Sequence, residues 1–562
     1  MASVGDGGFS VFSGCFLRRG MEMKILKWER SRVASVAALA VPLLLAGCAG
    51  NVLRVAPYAE LKVIDPVWTT AYITRNHGYL VYDTLFAMDE NGEAKPQMVD
   101  SWTVSPDKKT WTFKLRDGLK WHDGTDVTAE DCIASLQRWS KRDGAGQQLF
   151  RDMESLTATD AKMFSMNLRA PHADIPNTLA KMSANVPFMM PKRVAETDPF
   201  QPIQDSTGSG PFIFKKDEWV PESQAVYVKN KMYVPRAEES SMAAGGKVPK
   251  ADRIEWRYYP DQAAAVKALI AGKVDYVESP SSQLIPMLEN QKDVTIASTD
   301  PLGNIGMARF NTLVPPFDNV AVRRAVAMVM QQEDYMTAAL GDKKYWRTCY
   351  SVFPCGTTYS NSAASETMKA TSLDAAKKAL QAAKYDGTPV VILNPKDNPV
   401  ISAFTKVTAE KLRQIGMTVD VQDMDWATLT QRRSNRGAVK DGGWNMFHTW
   451  WLAGDLLDPS FIAFSGDRET GWYGWPKDEE LEKYRVAFDR ATSQDEKKAL
   501  AAKVQQRLVD IGAFGILGQF FEPVAFSSKV EGITSPVQFY WNMSVELPWW
   551  QRLSRQFVKM PY

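Results

Sequence analysis

Histidine and cysteine are scarce in this chain, with four His and five Cys among 562 residues. The histidines, His77, His122, His172 and His448, are far apart. None belongs to a His-Glu-x-x-His or similarly dense ligand set, so the usual metal-centre motifs are excluded. Five cysteines are too few for a disulfide-dense miniprotein. An excess of charge is also missing: 67 Lys and Arg face 65 Asp and Glu, a formal net charge of +2. With no basic block, the chain lacks the electrostatic footprint of a nucleic-acid binder. The longest apolar run, residues 33–45, falls short of the roughly 20 residues that cross a bilayer. No phosphate loop is present, because Gly245-Gly246-Lys247 continues with Val248 where Ser or Thr is required. Gly208-Ser209-Gly210 lacks the spacing of a nucleophile elbow, and no short-period repeat points to a solenoid. A Ser-His-Asp site assembled from distant positions stays open, since such sites are defined by geometry rather than order.

What is there is ordinary globular material, 45% hydrophobic and 23% charged, of a length expected to hold about three to five structural units. The apolar run carries an address. Lys24, Lys27, Arg30 and Arg32 precede it and Leu45-Ala46-Gly47-Cys48 follows. A positive stretch, a short apolar core and small residues before a cleavage point make a secretory signal. The Leu-Ala-Gly-Cys quartet resembles the lipobox of bacterial lipoproteins, which implies cleavage before Cys48, lipidation of that residue and an extracytoplasmic body anchored to a bacterial membrane. Residues 1–22 lie upstream of alternative starts at Met21 or Met23, and residues 1–47 as a whole are leader and signal. In an oxidising compartment, Cys349 and Cys355, six positions apart, are expected to pair. Cys132 is expected buried and inert; Cys15 falls in the leader.

Local patterning suggests α/β layers. Val52–Val55 opens the body as a strand, and Trp111–Trp121 alternates around Asp117-Gly118 as a hairpin would. Thr128–Asp131 and Ser493–Glu496 are capping boxes. Strand, helix and strand succeed one another at 253–277, with Asp261 as cap and Gly272 as terminator, and again at 390–421 around a helix over 400–415 ended by Gly416. Ala513–Phe521 looks like a central strand. Helices between strands predict parallel pairing by right-handed crossovers, hence two α/β lobes.

Tryptophan is abundant, with 18 residues. Trp444, Trp450, Trp451, Trp472 and Trp475 cluster among glycines and beside Asp455 and Asp458. Rings on loops with a few carboxylates suit an organic-ligand cleft, the rings giving apolar contact and a carboxylate holding a cationic group.

A run of motifs in order resembles the extracytoplasmic solute-binding proteins of ABC importers, in the large peptide, nickel and opine type known as family 5. They are Tyr82–Leu85, Trp102–Asp107, Trp111–Gly118, Trp121–Gly124, Thr128–Asp131, Gly208–Phe212, Ala268–Asp275, Phe310-Asn311 and Pro315–Ala325. The resemblance covers essentially the whole mature chain. It implies a two-lobed periplasmic-binding-protein fold of type II-like architecture, with two crossover hinge strands and an extra subdomain in the first lobe. By that likeness lobe I is 51–309 plus 525–562, with 94–206 as the subdomain, and lobe II is 310–524. It implies a receptor with no enzymatic step and no cofactor, a monomer that closes on a short peptide or other small molecule and delivers it to the ABC permease subunits.

The segment Gly454–Pro459 is similar to the family stretch whose first Asp pairs with a peptide's α-amino group, so Asp455 leads the candidates. Asp458-Pro459 reads as a turn. Arg432 and Arg433, with Arg436 nearby, are candidates for a ligand carboxylate, which a planar guanidinium matches bidentately. Trp450, Trp451 and Tyr58 complete the expected ligand-binding set. His448 is the one residue placed to serve a nickel chelate. A receptor for nickel chelates, opines or other small cationic solutes, and an exported hydrolase, stand as the alternatives.

Overall fold

The computed structural model describes residues 50–546 apart from 173, 299, 535 and 536. Cys15, Cys48 and the whole signal segment therefore lie outside the described residues.

Two mixed sheets organise the chain within one unit, Gly50–Leu547. In the seven-stranded sheet the order is Phe212–Phe214, Gln224–Lys229, Arg253–Arg257, Val52–Ala56, Tyr276–Val277, Pro523–Ser527 and Val294–Ser298. The six-stranded sheet runs Trp346–Arg347, Phe514–Phe520, Asn304–Phe310, Met446–Leu452, Val390–Pro395 and Val419–Met424. The chain passes from the first sheet to the second between Ser298 and Asn304, and returns between Phe520 and Pro523. The sheet change thus falls a few residues before the divisions expected at 309/310 and 524/525.

The strand–helix–strand segments form as their patterns predict. Asp261 caps Gln262–Ile270 by accepting from the Ala264 N–H, and Pro399–Gln414 connects two strands that pair in parallel. Their order differs from expectation at one point. Arg253–Arg257 and Tyr276–Val277 are not neighbours, because the first strand of the chain lies between them, parallel to both. Parallel pairing is also less general than expected: Asn304–Phe310 is antiparallel to both of its neighbours. An all-apolar strand is needed wherever both faces are covered, whichever way it runs, so composition does not report direction.

The hairpin over Trp111–Trp121 does not form. Thr110–Leu115 pairs instead with Val99–Val104 and Met163–Leu168, in a four-stranded sheet inside the region expected to be the extra subdomain. Beyond Gly118 (φ +80°) the chain leaves that sheet, and only Lys120 makes an isolated bridge, to Asp126. The alternation there records burial: Trp121 is 2% exposed. Thr128 and Asp131 do form a reciprocal capping box at Ala129–Trp139, and Ser493 caps Gln494–Asp510. Cys349 and Cys355 are bonded. Cys132 is free and buried, and burial pushes its thiol pKa up.

One buried ion pair holds the loop between the first strand and the helix Tyr72–Val81. Asp65 accepts from Arg138 Nη2 at 2.5 Å and from the N–H groups of Val67, Trp68 and Ile203. Both side chains are almost fully buried. Replacing Asp65 with Ala removes the counter-ion of a guanidinium that otherwise bonds only the carbonyls of Thr197, Asp198 and Gln201, and strands three N–H donors, so a loss of about 3–5 kcal/mol is expected. Urea denaturation checks it; a change under about 1 kcal/mol would show that the loop is held by its apolar contacts.

Candidate functional site

In open α/β sheets, ligands sit outside the carboxyl ends of parallel strands, where connecting loops converge. Both sheets direct such ends to one place here. Tyr58 follows Val52–Ala56, and Glu278 follows Tyr276–Val277. From the other sheet, Asn398 follows Val390–Pro395, Trp426 follows Val419–Met424 and Asp455 follows Met446–Leu452. The two sets meet. Tyr58 and Trp450 have ring centroids 6.0 Å apart, and Tyr72 and Trp450 5.4 Å. Lys62 on one side bonds Asp425 on the other at 2.8 Å. The structure is a closed form.

Asp455 lies at the centre of this contact. Its Oδ2 accepts from the Tyr72 hydroxyl at 2.5 Å and from the Ser183 hydroxyl at 3.1 Å. The Tyr72 oxygen in turn accepts from the Leu452 N–H. Arg75 covers the Tyr72 ring at 4.4 Å and donates to Ser183 at 2.6 Å. Burial raises the carboxyl pKa, while Tyr72, Arg75, Lys181 and Ser183 oppose that rise. Such a carboxylate favours a further donor, above all a charged one.

Among the described residues, Arg433 is a buried cation with no carboxylate paired to it. It sits at the end of the helix Trp426–Arg432 and is 2% exposed. Four rings surround it, with centroid distances of 4.8 Å to Tyr473, 5.4 Å to Trp472, 5.6 Å to Trp426 and 5.7 Å to Phe447. Its guanidinium makes a long 3.4 Å contact to Thr70 Oγ1 and lies within reach of the Tyr473 hydroxyl. Burial lowers its pKa from the ordinary guanidinium value. Its Nε and Trp451 Nε1 are buried without a partner, while Trp426 and the Tyr473 hydroxyl have only Tyr58 and Arg433 itself nearby. Donors of one aromatic cluster thus lack an acceptor, and unpaired buried donors are costly.

Beside Trp450 lies a small interlobe cavity, lined by Tyr58, Gln262, Ser279, Asn398, Trp450 and Glu522 among others. It has room for about one water molecule in this closed form. Glu278, close to the cavity, accepts from the Tyr58 N–H and from Asn76, both at 3.0 Å. Burial raises its pKa, and burial together with Glu278 pushes Glu522 up to about 8.

Of the residues expected from the sequence, Asp455, Trp450, Tyr58 and Arg433 converge here. Trp451 is in the wall, packed on Phe461 at 4.8 Å and on Trp472 at 4.9 Å. Arg432 is not in the cleft. One turn-position away from Arg433, it points to the loop behind the helix and donates to the Gly442 and Gly443 carbonyls. Arg436 is exposed and lies over Trp475. His448 is fully buried between Thr405 and Thr408, which bond its two ring nitrogens. Burial lowers its pKa to about 3, and among the described residues no group of three or more His, Cys, Asp or Glu could hold a metal. A nickel role for His448 is therefore withdrawn: strand alternation aims it at the helix Pro399–Gln414. Asp458 forms the expected turn, accepting from the Ser460 N–H.

Tyr72, Arg75, Thr70, Ser183, Tyr473 and Glu522 escaped the sequence reading. Most belong to unremarkable stretches, but Glu522 left a signal as the one charged residue between Asp510 and Lys529.

A model of bacterial extracellular solute-binding proteins, family 5 (middle part), matches residues 93–473. A "probable peptide ABC transporter periplasmic-binding protein" of Sinorhizobium fredii is 36% identical over 92% of this chain and 98% of its own. Among solved structures, the Helicobacter pylori periplasmic binding protein DppA, in complex with the peptide STSA, superposes with a TM-score of 0.72 at 21% identity, covering 90% of this chain and all of that one. The Agrobacterium binding protein AgaA, in complex with agropinic acid, gives the same TM-score at 20% identity, covering 88% and 99%. These likenesses show the two-lobed fold.

Proposed function

The chain belongs to the bacterial extracellular solute-binding proteins of family 5, and since it is thereby the extracytoplasmic substrate-binding component of an ABC importer and not an enzyme, we propose that its cargo is a short peptide. The observation that carries this reading is the pairing of Asp455 with the acceptor-poor cluster around Arg433. Asp455 takes the α-ammonium, using the oxygen that Tyr72 and Ser183 leave free. Arg433 takes the α-carboxylate, which supplies the acceptor its ring cluster lacks.

Both anchors meet the same short segment of the facing lobe: Tyr72 bonds Asp455, and Thr70, two residues earlier, bonds Arg433. The S. fredii relative, described as a probable peptide transporter protein, supports the same cargo class.

Opening must precede loading, because the closed cavity takes only about one water. The halves built on the two sheets then close on each other, and peptide favours closure by contacting both. The cargo reading completes with Cys48 as a lipidated N-terminus that holds the receptor near its permease.

Native mass spectrometry of the purified full chain, followed by titration with dialanine, agropinic acid and nickel–histidine, tests this. Dialanine is expected to bind, to return intact and to shrink the scattering envelope. Retention of an opine or a nickel complex with no peptide binding would overturn the peptide cargo while leaving the receptor class in place.

A further inference from the structure

Glu522 is the polar side chain of the cleft that neither anchor explains. It occupies the passage from the strand Phe514–Phe520 to the strand Pro523–Ser527, where the chain crosses between sheets. It lines the interlobe cavity together with Tyr58 and Trp450. Among the described residues it has no hydrogen-bond or ion-pair partner; the charge that acts on it is that of Glu278, another acid. Gln262 bonds the Ser279 carbonyl and the Ser281 N–H, and the Asn398 side-chain oxygen caps the helix Pro399–Gln414.

Glu522 is partly withdrawn from water, and a carboxylate in that position is normally given a partner. The rest of the lining is two aromatic rings, Trp450 and Tyr58, with Ser279, Ser281, Pro399 and Val400, and none of these carries a charge. A carboxylate that shares a cavity with two rings suits an organic cation, which gains Coulomb attraction and cation–π contact together. Trp450 also fixes which part of the cargo reaches it. Its ring lies 5.4 Å from Tyr72, the partner of Asp455, and 6.0 Å from Tyr58, beside Glu522. A side chain leaving the residue held at Asp455 therefore crosses Trp450 toward Glu522.

Resting on the peptide reading above, we propose that Glu522 is a specificity-determining residue that selects peptides with a basic side chain, guanidinium or ammonium, on their amino-terminal residue. The cation neutralises the Glu522–Glu278 pair on closure. The raised carboxyl of Glu522 fits this role, because a bound cation restores its ionised form.

Arg-Ala and citrulline-Ala test it, being nearly isosteric and differing in charge. Calorimetry on the wild-type full chain is expected to give at least tenfold tighter binding of Arg-Ala, with no comparable preference for Ala-Arg over Ala-citrulline. In Glu522→Gln the Arg-Ala preference falls to about one, while citrulline-Ala binds as in wild type, which also reports that the variant is folded. A wild-type ratio near one, or a preference that survives Glu522→Gln, overturns the assignment but leaves the peptide reading standing. Failure of all four peptides to bind wild type overturns both.

Discussion

Replacing Asp455 with Asn weakens binding of a dipeptide with a free amino terminus by about 2–5 kcal/mol. The amide keeps the shape of the side chain and still accepts from Tyr72 and Ser183, so the closed contact survives. What it loses is the negative charge facing the α-ammonium. In a closed cleft that charge acts across a low-dielectric gap, where it is worth several times its value in water. An N-acetylated dipeptide, which carries no ammonium, serves as the internal control. It binds wild type weakly, and the substitution leaves it nearly unchanged. Isothermal calorimetry of both peptides against both proteins completes the cycle. An equal loss for the acetylated peptide would assign Asp455 to holding Tyr72 and the closed form, with the amine anchored elsewhere.

Replacing Arg433 with Met separates binding from stability. Affinity for a dipeptide with a free carboxylate falls by about 2–5 kcal/mol, while the corresponding peptide amide binds both proteins alike. The thermal midpoint of the empty protein holds or rises. Arg433 is enclosed by Trp426, Phe447, Trp472 and Tyr473 with no carboxylate beside it, and a buried cation without a counter-ion costs stability. Methionine is flexible enough to fill the same ring-lined space with apolar atoms. A variant that loses binding and also melts well below wild type would mark Arg433 as a structural pillar of the aromatic cluster. Together the two substitutions test whether the receptor reads both ends of a zwitterion.

Asp455 and Arg433 were visible in the sequence for different reasons. Asp455 stands in a segment similar to a family stretch, whereas Arg433 was one of three arginines within five positions. Sequence spacing could not separate Arg433 from Arg432. A helix end rotates successive residues by about 100°, and only the packed structure shows that one faces the rings while the other reaches the Gly442 and Gly443 carbonyls. His448 illustrates the same limit, since proximity to Asp455 along the chain said nothing about which face of its strand it occupies.

The amino-acid order alone determined the elements governed by neighbours in the chain: the caps at Thr128, Asp261 and Ser493, the apolar strands, the Cys349–Cys355 bridge and the succession of motifs shared with a receptor family. These depend on contacts a few residues apart. Strand order, the placing of Val52–Ala56 between two later strands and the pairing of Thr110–Leu115 were decided by tertiary structure, because apolar patterning records burial without naming the partner. The cleft was decided there too. Tyr72 and Asp455 are 383 positions apart, and Glu522 meets Tyr58 and Trp450 only because two sheets present the same ends of their strands to each other.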